Sequence, residues 1–247
     1  MENSLDSKIA VVTGGSTGIG LGIAKRFVQE GASVVITGRR QPELDAAVAE
    51  LGPKASAFRA DVSVLSDLDA LYEEVGKRHG RIDVLVANAG GGSLMKLGEI
   101  TEEHYDKTFA INVKGVLFTV QKALPLMEKG GSIIVTGSTT SIMGTEAFSV
   151  YSGTKAAIRN FVRSWVLDLK GKGIRINVLS PGPIRTPALL EIADKAEGLL
   201  DYFAGQIPLG RIGDPDETGK VAVFLASDAS SFVNGAELFV DGGFAQV

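Results

Sequence analysis

The chain has 247 residues, of which 45% are hydrophobic and 22% charged, and its formal net charge at pH 7 is −4. Length and composition are those of a globular protein with a substantial core, which excludes a largely disordered chain. The weakly acidic balance, with no basic block, excludes the electrostatic footprint of a nucleic-acid-binding protein, and the absence of cysteine excludes disulfides and thiolate metal sites.

A secretory signal has a charged n-region followed by an apolar h-region, and the N-terminal stretch MENSLDSKIA has neither. No apolar run along the chain reaches the ~18 residues that cross a bilayer. We therefore expect a cytoplasmic protein with no membrane partner, no nucleic-acid partner and no metal site.

Short β-branched runs alternate with stretches of helical period along almost the whole chain. Several runs are apolar on both faces, which is typical of parallel strands covered by helices on each side. The alternation predicts an α/β fold: one domain over 1–247, built as a Rossmann-type doubly wound sheet of about seven mostly parallel strands flanked by helices. The predicted strands are 9–13, 33–37, 55–60, 83–87, 132–136, 174–180 and 236–240.

Two stretches have the three- and four-residue apolar spacing of long amphipathic helices. One carries Phe109, Val113, Leu117, Val120 and Leu124, and the other carries Ile158, Phe161, Trp165 and Leu169. The segment 185–208 fits the alternation least, because it combines helical stretches with two glycines and proline borders. We expect it to leave the sheet and to form a substrate lid.

The first predicted strand runs into the glycine-rich turn TGGSTGIG, residues 13–20, and then into a helical stretch. Glycines in this turn leave no Cβ atoms in the way, so phosphates of a dinucleotide could approach backbone N–H groups at a helix N-terminus. The alternative is a tight turn with close helix packing. The candidate phosphate-binding residues are Gly14, Ser16, Thr17, Gly18, Ile19 and Gly20.

The same turn contains G-x-S-x-G, the nucleophile-elbow pattern of hydrolases. That interpretation requires an acid and then a late histidine. The two histidines, His79 and His104, lie at a predicted helix end and a predicted helix start in the first half of the chain. Hydrolysis is therefore disfavoured.

The stretch YSGTK puts Tyr151 and Lys155 one helical turn apart on the same face. A surface pair is the ordinary interpretation of such spacing. The alternative is a proton-transfer pair, because a nearby cation stabilises a phenolate.

Together these motifs resemble the short-chain dehydrogenase/reductase family in its compact single-domain form. The resemblance runs nearly end to end, through TGGSTGIG, Asp61-Val62, ANAG at 87–90, INVKG, VTGST, YSGTK, SPGPIRTP at 180–187 and VDGG at 240–243. Ser138 stands thirteen residues before Tyr151, as in the family pattern. Ala87 departs from it, since asparagine is frequent there, and we expect little consequence.

The resemblance implies an oxidoreductase that transfers a hydride between a nicotinamide cofactor and a ketone or secondary alcohol, of the carbonyl reductase or alcohol dehydrogenase type. Tyr151 would donate or accept the proton, Lys155 would stabilise the phenolate and hold the nicotinamide ribose, and Ser138 would orient the carbonyl oxygen. Asn112 resembles the residue whose helical disturbance holds a water of the proton relay.

The remaining cofactor contacts follow from the same resemblance. The second strand ends at Gly38 and is followed by Arg39 and Arg40, so no acid repels a 2′-phosphate and a guanidinium can bind one; we expect NADP(H), with NAD(H) possible. Other expected contacts lie at the adenine ring, after the fourth strand and around the nicotinamide. They are Asp61, Val62, Asn88, Ala89, Gly90, Pro181, Gly182, Ile184 and Thr186.

Apolar residues of segment 185–208 favour an apolar ketone or alcohol, although they could equally cover the core. A 3-oxoacyl-carrier-protein reductase is the alternative, and Arg159 and Arg163 keep it open. A second alternative is a nucleotide-sensing protein without catalysis, which would be expected to lack Tyr151 or Lys155. The resemblance also implies a homotetramer.

Overall fold

A computed structural model describes residues 4–247, and its centre is one seven-stranded sheet. The strand order is β3-β2-β1-β4-β5-β6-β7, and each neighbouring pair is parallel. The strands are β1 (Ile9–Thr13), β2 (Ser33–Gly38), β3 (Ala55–Arg59), β4 (Ile82–Ala87), β5 (Met127–Thr136), β6 (Arg175–Pro181) and β7 (Glu237–Val240). The predicted seven-stranded, doubly wound sheet is confirmed.

Nine α-helices connect the strands of the described residues. They are α1 (Gly18–Gln29), α2 (Gln41–Leu51), α3 (Leu65–His79), α4 (Glu102–Phe109), α5 (Val116–Ala123), α6 (Ser149–Asp168), α7 (Pro187–Ala193), α8 (Leu199–Gln206) and α9 (Pro215–Ala226). No helix in residues 4–247 is long and apolar enough to span a membrane.

The core has two layers because β-branched strand residues alternate between the two faces of the sheet. On one face, Val11 and Leu85 pack with α3, α5 and α6; on the other, Val12 and Ile36 pack with α1, α2 and α9. Burying both faces explains why these strands lack the apolar and polar alternation of a half-exposed sheet.

Strand β5 begins five residues earlier than predicted, at Met127. Its pairing with β4 shifts register between Ile82 and Val84, and Gly130 in the extra segment has φ +94°. A left-handed glycine within an irregular start is not visible as a β-branched run, so the sequence pattern detected only the regular part of the strand.

The predicted helix over 109–124 is interrupted. A π-helix, Ala110–Gly115, separates α4 from α5, and its wider turn changes which residues face the core. Val120 of the predicted apolar stripe is buried, but Phe109, Val113, Leu117 and Leu124 are only partly buried. In the second predicted helix, now α6, Ile158 and Leu169 are buried while Phe161 and Trp165 are partly exposed.

All strands are parallel, so their carboxyl ends meet at one edge of the sheet, where ligands of doubly wound folds bind. The glycine turn, Arg39, Asp61, Asn88, Ser138 and Pro181 each lie at or just beyond the end of a different strand. The topology therefore gathers candidate residues that are far apart in sequence.

Candidate active site

The glycine-rich turn between β1 and α1 is shaped by backbone conformations and contacts that exclude side chains. Gly14 and Gly18 have φ of +64° and +55°, and a Cβ built on Gly20 would lie 2.6 Å from Asn88 Nδ2. Thr17, the residue before α1, makes no side-chain capping bond. Backbone N–H groups at this helix N-terminus are thus available to an anion, and the turn fits the phosphates of a dinucleotide.

Asn88 ties together the ends of three strands beneath this turn. Its Nδ2 donates to the carbonyl oxygens of Thr13 at 3.0 Å and Gly14 at 3.2 Å, and its Oδ1 accepts from Thr136 Oγ1 at 3.2 Å. The Thr13 hydroxyl oxygen also accepts the backbone N–H groups of Asn88 and Ala89. The sequence analysis did not identify Thr13 and Thr136 as site residues. Each is the last residue of a predicted strand, and that position could have indicated that it lies at the carboxyl edge of the sheet.

Lys155 is buried on α6, and its surface exposure is only 3%. Its Nζ donates to the Thr136 carbonyl oxygen at 2.7 Å and lies 5.5 Å from the centroid of the Tyr151 ring. Burial lowers the pKa of Lys155 to about 8, because a low-dielectric environment disfavours the ammonium. Because Lys155 is buried, the two residues are not the surface pair that is the ordinary interpretation of their spacing.

The Tyr151 ring is packed tightly. Phe148 stacks on it with a centroid distance of 4.4 Å, and a Cβ built on Gly92 would lie 2.6 Å from a ring carbon. Burial raises the pKa of Tyr151 to about 12, and the Ser138 hydroxyl opposes that rise. The sequence had suggested a pKa lowered by Lys155; in the structure, burial is the larger effect.

Ser138 directly precedes a short 3-10 turn, Thr139–Ser141. Its hydroxyl oxygen accepts hydrogen bonds from Thr140 N at 3.2 Å and Thr140 Oγ1 at 3.0 Å. Since the Ser138 hydroxyl is the acceptor in both hydrogen bonds, its own proton is free to be donated to another group. The orienting role of Thr140 depends on turn geometry that the sequence does not display.

Asn112 lies in the π-helix and is fully buried. Its side chain forms two hydrogen bonds with Gly91, donating to the carbonyl oxygen at 2.7 Å and accepting the N–H at 3.0 Å. A Cβ on Gly90 would lie 2.7 Å from Asn112 Oδ1 and 3.5 Å from Lys155 Nζ. The loop Gly90–Gly92 therefore touches Asn112, Lys155 and Tyr151, so the candidate catalytic residues are gathered around it.

At the second and third strands, the candidate adenosine contacts lie side by side. Arg39 has a side chain that is 65% exposed, and its Nη1 is 4.0 Å from Asp61 Oδ2. Arg40 pairs with Glu43 at 2.8 Å, whereas Val62 is buried. Arg39 is thus the more available guanidinium beside Gly38.

The candidate nicotinamide contacts follow β6. Gly182 N donates to Val240 O at 3.0 Å, and the buried Ile184 bridges to Gly213. Thr186 caps α7 by accepting from Leu189 N at 3.3 Å. A Cβ on Gly18 would lie 3.2 Å from Thr186 Cγ2, so the start of segment 185–208 lies against the glycine turn.

Segment 185–208 forms α7 and α8 outside the sheet, and neither helix contains a buried residue. Phe203 packs edge-on to Phe244 with a centroid distance of 6.3 Å, and Tyr202 is 61% exposed. The apolar side chains of these two helices are thus not part of the core.

Comparisons with known proteins agree with this geometry. A family model described as "Enoyl-(Acyl carrier protein) reductase" matches residues 14–245. Oxidoreductase asL5 of Sarocladium schorii is 53% identical, over 98% of both chains. Elsinochrome reductase 1 of Elsinoe fawcettii is 36% identical (96% of this chain, 94% of that one), and the 3-oxoacyl-[acyl-carrier-protein] reductase FabG of Thermotoga maritima is 35% identical (97% and 98%).

A solved structure supports the same assignment. The short-chain dehydrogenase/reductase described as glucose/ribitol dehydrogenase from Brucella melitensis superposes with a TM-score of 0.94 at 33% identity, covering 99% of both chains. Because fold, motif order and relatives coincide over essentially the whole length, this chain belongs to the short-chain dehydrogenase/reductase family and is an oxidoreductase that uses a nicotinamide cofactor.

Proposed function

We propose that the protein is a carbonyl reductase that interconverts an apolar ketone and its secondary alcohol, with Tyr151 as the proton donor and acceptor. The observation that carries this proposal is the partly buried Tyr151 on the same helical face as the buried Lys155, with the Ser138 hydroxyl close enough to act on the pKa of the phenol. The bound nicotinamide would supply or accept the hydride.

The pKa values of Tyr151 and Lys155 set the direction of proton transfer between the two groups. A phenol with a pKa of about 12 is protonated at neutral pH, so it has a proton to donate to a carbonyl oxygen. The resulting phenolate is a stronger base than the Lys155 amine, whose pKa is about 8, so proton return from Lys155 is downhill. The Ser138 proton, left free by the Thr140 bonds, can hydrogen-bond the same oxygen as negative charge develops.

NADP(H) is the proposed cofactor, held at its phosphates by the turn from Gly14 to Gly20. Gly38 supplies no carboxylate to repel a 2′-phosphate, and Arg39 has a largely exposed guanidinium beside it. Asp61 faces Arg39 at 4.0 Å and would have to share that cation with the phosphate. NAD(H) therefore stays the alternative.

The proposed substrate is an apolar ketone, as α7 and α8 hold apolar side chains that the core does not bury. Phe148 and Gly92 on the Tyr151 ring leave an apolar, sterically narrow approach. A relative is named Elsinochrome reductase 1, which supports reduction as the reaction.

A 3-oxoacyl-carrier-protein reductase is the second candidate, and the similarity to FabG of Thermotoga maritima favours it. Docking of an acidic carrier would use exposed cations of α6. Arg159 is directed toward Glu237, with Nη1 3.6 Å from Oε2, which leaves Arg163 as the more exposed of the two arginines. This reduces the basic surface available for such docking.

The first test follows nicotinamide absorbance with apolar ketones and with a 3-oxoacyl thioester, using the wild type, Tyr151→Phe and Tyr72→Phe. Removing the proton donor should lower kcat roughly 10²- to 10⁴-fold while cofactor binding persists. Tyr72 is the control, because it is a buried tyrosine whose hydroxyl donates to Thr119 O at 2.6 Å and has none of the contacts assigned to the candidate site.

The outcomes of this test are separable. Turnover that survives in Tyr151→Phe would contradict the proposed mechanism, and turnover of the thioester alone would favour the second candidate. Cofactor binding with no turnover of any substrate would favour a nucleotide sensor.

A further inference from the structure

Glu237, the first residue of β7, has a carboxylate buried behind the candidate site, with a side chain that is only 12% exposed. Its Oε1 accepts hydrogen bonds from Ser180 Oγ at 2.7 Å and from Ser141 Oγ at 3.1 Å. Its Oε2 lies 3.6 Å from Arg159 Nη1. Burying a carboxylate is costly unless it is paired and hydrogen-bonded, so these three partners account for its stability there.

Two of the partners belong to the elements that carry Ser138 and Tyr151. Ser141 ends the 3-10 turn that follows Ser138, and its N–H donates to the Ser138 carbonyl oxygen at 3.0 Å. Arg159 lies four residues after Lys155 on α6, hence one turn further along the same face. One carboxylate therefore joins the serine turn to the helix of Tyr151 and Lys155.

Ser180, the remaining partner of Glu237, contacts the end of β5. Its hydroxyl lies against Gly137, in the space that a Cβ at that position would occupy, and Gly137 N donates to Leu179 O at 2.8 Å. Gly137 directly precedes Ser138. Glu237 therefore also supports, through Ser180, the strand end from which the serine turn departs.

We propose that Glu237 is a positioning residue, which sets the place of Ser138 relative to Tyr151 by holding Ser141 and Arg159; this inference rests on the proposed function. Glu237 has none of the contacts assigned to cofactor or substrate. Its loss should therefore lower kcat, since a misplacement of about 1 Å can cost about 10²-fold in rate, and leave KM for NADPH unchanged.

The test uses four single variants in the same ketone assay. Glu237→Ala and Ser141→Ala should each lower kcat, the former by about 10-fold or more, with KM for NADPH unchanged. Glu237→Gln keeps an acceptor oxygen for both serines and should restore most of the kcat lost in Glu237→Ala. Ser132→Ala is the matched control, because Ser132 is a fully buried β5 serine that donates to Leu225 O at 2.7 Å and should affect stability without affecting kcat.

The double variant Glu237→Ala with Ser141→Ala tests whether the two residues act as a unit. If Ser141 acts through Glu237, the double variant should be no slower than Glu237→Ala, whereas independent effects would multiply. Multiplying effects, or wild-type kcat in folded Glu237→Ala, would overturn the proposal.

A readout independent of catalysis is amide hydrogen exchange of residues 137–142. Exchange should accelerate in Glu237→Ala and in Ser141→Ala but not in Ser132→Ala, because the turn loses its tether. Unchanged exchange would overturn the inference even if kcat fell. If Tyr151→Phe kept its turnover, the proposed function would fail, and the exchange measurement would still decide whether Glu237 holds the turn.

Discussion

Tyr151 and Lys155 show how one environment shifts two pKa values in opposite directions. Burial disfavours the charged form of each side chain, so the pKa of the phenol rises to about 12 and that of the ammonium falls to about 8. Both shifts come from packing around one turn of α6. The shift moves the pKa of Lys155 toward neutral pH and the pKa of Tyr151 away from it, so only the lysine is adjusted toward proton exchange.

The lowered pKa of Lys155 predicts a specific pH dependence of stability. The unfolded lysine, with a pKa near 10.5, binds more protons than the folded one between pH 8 and 10.5, so the free energy of unfolding gains a contribution as pH rises through that window. Relative to Lys155→Met, the wild type should gain on the order of 2 kcal/mol between pH 8 and 10. Urea unfolding of both proteins at several pH values measures this, and a constant difference would contradict it.

Arg39 should decide the choice between NADPH and NADH. If its guanidinium binds the 2′-phosphate, Arg39→Ala should weaken NADPH binding roughly 10- to 100-fold, the value of a charged hydrogen bond of about 1.5–3 kcal/mol, and leave NADH binding unchanged. Titration by cofactor fluorescence measures both affinities. Arg78→Ala, which removes a cation paired with Glu74 on α3, is the control. Equal weakening of both cofactors would argue against a phosphate contact.

The turn between β1 and α1 depends on space as much as on chemistry. In Gly20→Ala, the added methyl group would lie 2.6 Å from Asn88 Nδ2 and still closer to the Gly14 carbonyl oxygen. The turn must then shift, so we expect cofactor affinity to fall at least about 10-fold and stability to fall by about 1–3 kcal/mol.

Gly76→Ala is the control for that substitution. Gly76 lies within α3, and a Cβ there meets only the end of Leu126 at 3.4 Å. It should leave cofactor affinity unchanged and stabilise the helix by up to about 1 kcal/mol. Wild-type cofactor affinity in Gly20→Ala would show that this turn does not hold the phosphates.

The strands and the position of the site could be predicted because both depend on local pattern. Each β-branched run corresponds to one strand, and the candidate residues outside the helices stand at or just after the end of such a run, where parallel strands bring their carboxyl ends together. Gly14, Asn88 and Ser138 could be placed at one edge on this basis alone.

What sequence reasoning missed depends on contacts between distant residues. The Asn88 bonds to Thr13 and Thr136, and the Glu237 bonds to Ser141 and Ser180, join residues 48 to 96 positions apart, and no local pattern marks them. The π-helix at Asn112 agrees with the helical disturbance that the family resemblance implied, whereas the apolar periodicity of this stretch gave no sign of it. The pKa of Tyr151 is raised by burial, whereas the sequence suggested that Lys155 would lower it. The spacing of the two residues does not reveal burial, so this effect could not be predicted.

The whole molecule places its polar machinery at one edge of a sheet buried on both faces. Two apolar layers hold the strands, while the candidate cofactor-binding residues stand mostly at strand ends and on loops at the carboxyl edge. Changes in those loops can therefore alter specificity with little effect on the core. The helices α7 and α8, which contain no fully buried residue, are the part most free to vary.

The outer surface of α6 leads to a prediction about assembly. Leu167 is 73% exposed, whereas Phe161 and Trp165 of the same helix are partly buried and pack against the core, so Leu167 is an apolar residue of α6 that faces outward. Family resemblance implies a homotetramer, so sedimentation equilibrium should give four times the chain mass of 25.8 kDa.

Leu167→Glu tests whether α6 contributes to that assembly. In a symmetric oligomer the substitution recurs in every copy, so charges would be buried at each equivalent interface and smaller species should appear. Val64→Glu, at a 43% exposed residue preceding α3, is the control and should leave the mass unchanged. A wild-type particle of one chain mass would contradict the tetramer, whereas an unchanged tetramer in Leu167→Glu would exclude this face of α6 from the interface.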